Sequence, residues 1–494
     1  MNMKTKDVRR GGGLASKKLL AAIAVLAVVF LVLAAVPVAD AENTPTYGKV
    51  TVKFGDDFYM ESGESSAHQF TSMKDALDFI NKDTTHAGDI TVICEKNKPV
   101  NFVGSHQSIV NKSLTIEGNG AYVMTGNEYG GDIAVDTLHP GNNGWTNPTG
   151  LAFEGNVDLT INDLDGVRVW GEKSSQYKLT LVMNNCDAIS EKDGNVGPDK
   201  NRYFGVYITH GNFTSSYTGE DAEKKKAAAI ESVVDITLNN CNFGNNSATC
   251  TVYSNYNGKI SINNCTFDGR AQAVCITNKA ASPNLDVEIT NTNFKDCGAT
   301  KTDNEKKYAA PVKVTNCSES GSVSLTVDGC TFDNSESANG DVLVGEGRSN
   351  KTSGPVSVDV KNLKSDATIE FQSPGYYGTS TESTKKVSLG LENGSTAKVT
   401  ATGTEIAIEK ITGEITGEEF ELSGKISEDT TINAKKVIVT GNTTVNSGVT
   451  LTLGKDTEVV VKKDAVFNLY GTIDGGKSID VEKDASFKAY SGAQ

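Results

Sequence analysis

The sequence predicts an all-β chain wound as a solenoid, because one short phrase recurs seven times between Val157 and Leu363. In register the copies read VDLTINDLD from Val157, LTLVMNNCD from Leu179, VDITLNNCNF from Val234 and KISINNCTF from Lys259. They continue as LDVEITNTNF from Leu285, VSLTVDGCTF from Val323 and VSVDVKNLK from Val356. The residue after the paired turn positions falls at Leu164, Cys186, Cys241, Cys265, Thr292, Cys330 and Leu363, in steps of 22, 55, 24, 27, 38 and 33 residues. A unit of this size with occasional insertions marks an array in which each repeat buries its apolar face on the next. Composition agrees: aromatics are 7% of 494 residues and Gly numbers 49, which suits short strands and turns better than large helices.

Taken in order, residues 1–41 read as a targeting segment. Lys4, Lys6, Arg9, Arg10, Lys17 and Lys18 precede an apolar run from Leu19 to Val36, then Pro37 and the small-residue site Ala39-Asp40-Ala41. Cleavage after Ala41 is expected. A retained signal anchor is the other reading, since 18 apolar residues just reach across a bilayer. Export follows from either.

Residues 42–110 are expected to form an N-terminal cap and the first coils. Ser72 and Asp75 make a capping-box pattern around Met73, Ala76, Leu77 and Ile80, the apolar face of a helix in FTSMKDALDFINK. The strands DITVIC and SLTIEG follow from Asp89 and Ser113. A helix over the first coil would shield the open end of the stack.

Residues 111–366 hold the repeats. In VDITLNNCNF, Val234, Ile236 and Leu238 alternate with Asp235 and Thr237, the period of a strand with one buried face. Asn tolerates the left-handed backbone of a sharp bend, and its amide can bond its counterpart one coil away. Asn185, Asn240, Asn264 and Asn291 are therefore expected to form a turn ladder. Cys186, Cys241, Cys265 and Cys330 follow it as a buried stack of small hydrophobes. A second strand recurs in GVYITH from Gly205, CTVYS from Cys250, AVCITN from Ala273, PVKVTN from Pro311 and DVLVGEG from Asp341. With Val252, Val274 and Ile276 inward, its register places Cys250 inside and Cys275 outside. Insertions near 188–202, 215–231 and 299–308 account for the long steps, and EDAEKKKAAAIES in the middle one reads as a short outer helix.

Residues 367–395, with SPGYYGTSTESTKK, read as a linker or irregular coil. Residues 396–494 read as a C-terminal β-rich repeat module. There VKKDAVFNLYG from Val461 and VEKDASFKAYSG from Val481 match at an offset of 20, as a tighter solenoid or as stacked hairpins.

Nine cysteines leave at least one thiol unpaired within a monomer. No C-x-x-C spacing is present, and His68, His86, His106, His139 and His210 lie apart from any cysteine cluster. The net charge is −15, and loss of the leader, with six Lys/Arg and two Asp, makes it more negative. This argues against nucleic acid and anionic lipid as partners, leaving a membrane contact only through the N-terminal segment if uncleaved.

Over residues 72–365 the capping helix, the NNC-type turns and the paired strands resemble the right-handed parallel β-helix of the pectate-lyase-like superfamily. The whole chain is most similar to adhesin-like surface proteins of prokaryotes. Because the superfamily includes lyases and hydrolases, the resemblance also implies signatures to seek. The nearest to the hydrolase D-D and G-H-G segments are Asp56-Asp57 and Thr209-His210-Gly211, and no R-I-K is present. The lyase W-I-D-H is missing, Trp170 being followed by Gly-Glu-Lys. A lyase base would be Arg or Lys beside several Asp, a setting that Arg168, Arg202 and Arg270 lack.

Three constellations are candidate sites. Asp268, Asp296 and Asp333 follow Phe in successive coils and would offer oxygen ligands to Ca²⁺ if stacked; a solvated acidic stripe is the plainer reading. His210 with Tyr207 and Asp187 would make an acid–base site, against an inert surface histidine. The row Asp158/Thr160, Asp235/Thr237, Asp286/Glu288 and Ser324/Thr326 would form a flat polar binding face, or merely a solvated strand face. Sequons occur at Asn111, Asn212, Asn245, Asn264, Asn316, Asn350, Asn393 and Asn442; all but Asn264, a poor acceptor because it belongs to the turn ladder, are possible glycan acceptors.

The expected function is that of an exported cell-surface, adhesin-like protein with a non-enzymatic binding or envelope-structural role. No catalytic residue and no cofactor is assigned, and Ca²⁺ is the one ion considered. Its ligand would be an unidentified surface component, carbohydrate or part of the envelope. The alternative is a polysaccharide lyase or glycoside hydrolase on the same β-helix.

Overall fold

The computed structural model describes residues 46–86, 88–102, 107–123, 150–171, 177–187, 205–208, 233–243, 250–254, 258–269, 272–278, 284–298, 310–316, 321–335, 337, 339–345, 354–372, 386–391, 393–394, 397–402, 405–411, 414–426 and 429–494. Contacts divide the chain into Met1–Thr46 and Tyr47–Gln494, and the second unit is described below. The leader, the cleavage site at Ala41 and the three insertions lie outside the described residues, as do His106, His139 and His210.

The fold is all-β, with parallel pairing between successive repeats. In a first stack, Leu114 faces Leu159, then Leu181, Ile236, Ile260, Val287, Leu325 and Val358, each in direct register with the next. All are buried, because alternation turns every second side chain to one face. A second stack runs Val169, Val206, Val252, Val274, Val312, Val342 and Ile369. A third, narrow stack consists of Asn242–Phe243, Thr266–Asp268, Asn293–Lys295 and Thr331–Asp333. Its phenylalanines, which recur at one phase of the repeat, form a column. Phe243, Phe267, Phe294 and Phe332 stack at centroid separations of 4.9, 5.2 and 5.0 Å, nearly parallel.

Turn chemistry holds the register. Asp163, Asn185, Asn240, Asn264, Asn291 and Asn362 all have φ between 47° and 54°, where Asn and Asp are the least penalised side chains. Gly329 takes the same place in its repeat at φ 64°. A side chain there would also meet the amide oxygen of Asn291 at 2.8 Å. Turn amides bond across repeats, Asn240 N–H to Asn263 O and Asn264 N–H to Thr290 O, both at 3.0 Å.

The helix Met73–Lys82 buries Met73, Ala76, Leu77 and Ile80. Ser72 caps it, Oγ accepting from the Asp75 N–H at 3.1 Å and donating to the Asp75 carboxylate at 2.7 Å. The helix packs on strands Gln107–Val110 and Val50–Phe54. Strand Val50–Phe54, absent from the sequence reading, pairs antiparallel with both Ile90–Cys94 and Asp57–Phe58.

Two features differ from expectation. Cys275, expected outside, is buried at 6% exposure. Strand alternation sorts the two faces of that sheet correctly, but Gln272–Asn278 is covered on both, as buried Thr277, Asn278, Lys313 and Glu370 also show. Secondly, within 367–395 lie two strands, Ala367–Gln372 and Lys386–Leu391, paired antiparallel. Val356–Lys361 likewise meets Ala397–Thr402 antiparallel, so both large stacks change pairing sense at the same level. Parallel pairing resumes at Glu414–Ile426 with Thr430–Val445. It then continues at the 20-residue offset, Val461 facing Val481 and Phe467 facing Phe487.

Candidate functional site

The outer face of the first stack assembles the predicted polar row into columns. One runs Asp158, Thr180, Asp235, Lys259, Asp286 and Ser324, and the next Thr160, Val182, Thr237, Ser261, Glu288 and Thr326. Most of these side chains are exposed or half-buried. Several of the charges are already engaged. The Lys259 N–H donates to Asp235 Oδ1 at 2.7 Å, Ser113 Oγ donates to Asp158 Oδ2 at 2.9 Å, and Lys259 Nζ lies 3.8 Å from Glu288. The face therefore mixes both signs with hydroxyls, at the repeat spacing of about 4.8 Å.

Beside it run two amide ladders. On the strand ends, Asn239 donates to Asn184 (2.9 Å), Asn184 to Asn162 (2.8 Å) and Asn162 to Glu117 (2.9 Å). On the turns, Asn264 donates to Asn240 at 2.7 Å and Asn240 to Asn185 at 3.3 Å. The first ladder went unread in the sequence, although the Asn pair of each NNC phrase signals it.

The thiols are internal. Cys241 Sγ donates to Asn239 O at 3.4 Å and Met183 O at 3.6 Å, and Cys265 Sγ to Asn263 O and Leu238 O at 3.4 and 3.6 Å. Cys186 and Cys330 make the same pair of contacts. Thr292, which replaces cysteine in its repeat, donates Oγ1 to Thr290 O at 2.9 Å. Cys and Thr are thus exchangeable here because both donate to the same strand-end carbonyl, while buried Leu164 and Leu363 fill the position in the first and last of the seven repeats. Burial pushes the Cys330 thiol up to about 11 and Cys94 to about 12, far from the range of a nucleophile.

The acidic trio does not assemble. Asp268 and Asp333 share a column, but the residue between them is Lys295, with Asp296 one position later. Lys295 Nζ lies 3.4 Å from Asp268 and 3.6 Å from Asp296, so an ammonium group occupies the place a calcium ion would need. The phrase NFKDCG carries one more residue between Phe and Asp than TFDGR and TFDNS, a shift that alignment on Phe alone conceals. Asp187 accepts the Asn242 N–H at 3.1 Å; its proposed partner His210 lies outside the described residues.

Among the sequons, Asn316 is buried, its amide donating to Gly321 O at 2.8 Å and Pro355 O at 3.2 Å. It is not a glycan acceptor in the folded chain. Asn111, Asn264, Asn393 and Asn442 are exposed, while Asn111 Oδ1 accepts the Asn156 N–H at 2.9 Å. Asn212, Asn245 and Asn350 lie outside the described residues.

Among the described residues, no helix is long and apolar enough to cross a membrane. Comparison with protein-family models, curated proteins and solved structures finds no significant match.

Proposed function

We propose that this chain is an exported, non-enzymatic surface protein built on a right-handed parallel β-helix. It presents the outer polar face of the first stack and the insertions between repeats for adhesion or envelope assembly. One observation carries the reading: among the described residues of the repeats, the side chains whose types suggest chemistry are spent on the scaffold. The cysteines close the interior, the asparagines bond repeat to repeat, and Lys295 neutralises the acidic column. What remains outside is a broad face of Thr, Ser, Asp and Lys, suited to many weak contacts with a polyhydroxylated or envelope polymer.

The test is incubation of the purified chain with acidic and neutral polysaccharides, with and without Ca²⁺, scoring retention and cleavage separately. Retention without products is expected, and it should weaken when Thr160, Thr237 and Thr326 are replaced together by Glu. Cleavage products would overturn the reading in favour of a carbohydrate-active enzyme. Neither retention nor products would leave the envelope-structural role.

A further inference from the structure

The loop between strand Asp57–Phe58 and the helix carries a donor set that the repeats do not use. It is closed by main-chain bonds: Tyr59 N–H donates to Val52 O, and His68 N–H to Tyr59 O, both at 2.8 Å. Inside it, Glu64 N–H donates to Glu61 O at 2.9 Å, and Glu61 N–H donates to Glu64 Oε2 at 2.8 Å. That second bond turns the Glu64 carboxylate back across the loop. Its other oxygen, Oε1, lies 3.0 Å from His68 Nδ1, while Glu61 Oε1 lies 3.9 Å from His68 Nε2.

The imidazole is held from behind. Its ring meets Phe70 edge-on at 4.6 Å and Tyr59 at 5.7 Å, and its side chain is 20% exposed, against 58% for Glu61. A rigid imidazole therefore has a carboxylate at each nitrogen, Glu64 at Nδ1 and Glu61 at Nε2, and solvent can reach both carboxylates. One ligand atom from each of Glu61, Glu64 and His68 lies within 4.8 Å of the other two, the one such His/Cys/Asp/Glu group among the described residues.

We propose that Glu61, Glu64 and His68 form a binding site for a divalent transition metal, with Zn²⁺ the fitting ion. An imidazole nitrogen with carboxylate oxygens is a donor set that zinc accepts, and three protein ligands leave a fourth position for water. Calcium is a poorer match, since it takes six to eight oxygens and this loop brings two carboxylates and a nitrogen. Ligand atoms in a tetrahedral zinc site stand about 3.3 Å apart, so rotation of the exposed Glu61 side chain is the main movement required. Bound metal would clip the loop to the outermost strand pair of the first stack, a structural role independent of what the polar face binds.

Calorimetric titration of the purified chain with ZnCl₂ at neutral pH tests this. One saturable site is expected, weakened by about tenfold or more in His68→Ala and in the double variant Glu61→Gln/Glu64→Gln. Because His68→Ala also removes aromatic packing, the double variant, which leaves the ring in place, separates ligation from folding. His86→Ala, on the neighbouring Asp83 pair, serves as the control and should bind as the parent does. Zinc should raise the Tm of the parent and of His86→Ala but not of the double variant. Absence of saturable binding, or equal binding in all variants, would overturn the proposal.

Discussion

At the residue scale, register decides chemistry. The acidic column is broken by Lys295, and Lys295→Asp would place three carboxylates in line on adjacent strands. Like charges directly opposite destabilise a sheet. A lower Tm is therefore expected in this variant, recovered by millimolar Ca²⁺ in the variant and not in the parent. Asp341 offers a pH test. Burial pushes its carboxyl above the ordinary value, even though it accepts the Thr368 N–H at 2.7 Å. The folded chain thus holds this proton more tightly than the unfolded chain does. The associated stability is complete below the ordinary carboxylate value and is lost as pH rises through the raised one. Urea titrations across that window should show a flatter pH dependence in Asp341→Asn. The buried thiols make a third prediction: Cys94, Cys186, Cys241, Cys265 and Cys330 are free and buried, so alkylation at neutral pH should reach them only after unfolding.

At the element scale, the narrow third stack does more than connect the two wide ones. Phe267 is fully buried between Phe243 and Phe294. Its replacement by Ala should cost about 3–5 kcal/mol, the range for a large core aromatic, measured by chemical denaturation. The ring column was within reach of the sequence, since CNF, CTF, TNF and CTF recur at fixed phase. The helix was fully legible because capping box and apolar face are local signals. Strand Val50–Phe54 was not: its main partner, Ile90–Cys94, lies beyond the helix, and KVTVKF has no second copy to align with. The antiparallel change at Lys386–Leu391 and Ala397–Thr402 was equally hidden, because alternation along a strand looks the same in either pairing sense.

Across the whole molecule, stability should vary along the order of repeats, since each contacts chiefly its neighbours. Val459 and Val461 are 1% and 0% exposed beneath the last repeat, whereas their counterparts Ile479 and Val481 are 36% and 45% exposed. Among the described residues nothing pairs with the far side of Ser478–Val481. Hydrogen exchange should accordingly be fastest at Ser478–Val481 and Ser486–Ala489 and slower at Glu458–Val461.

The repeat, its strand phase and most of its turn and core residues were legible in the amino-acid order alone, because these depend on neighbours a few positions apart and on a copied phrase. That order also marked the cysteines as packing groups before any contact was known. Packing of the whole chain was needed to show which residues share a column, which sheet is covered on both faces and where pairing changes sense. Those are relations between distant segments, and a shift of one residue, as at Lys295, exchanges a carboxylate for an ammonium group.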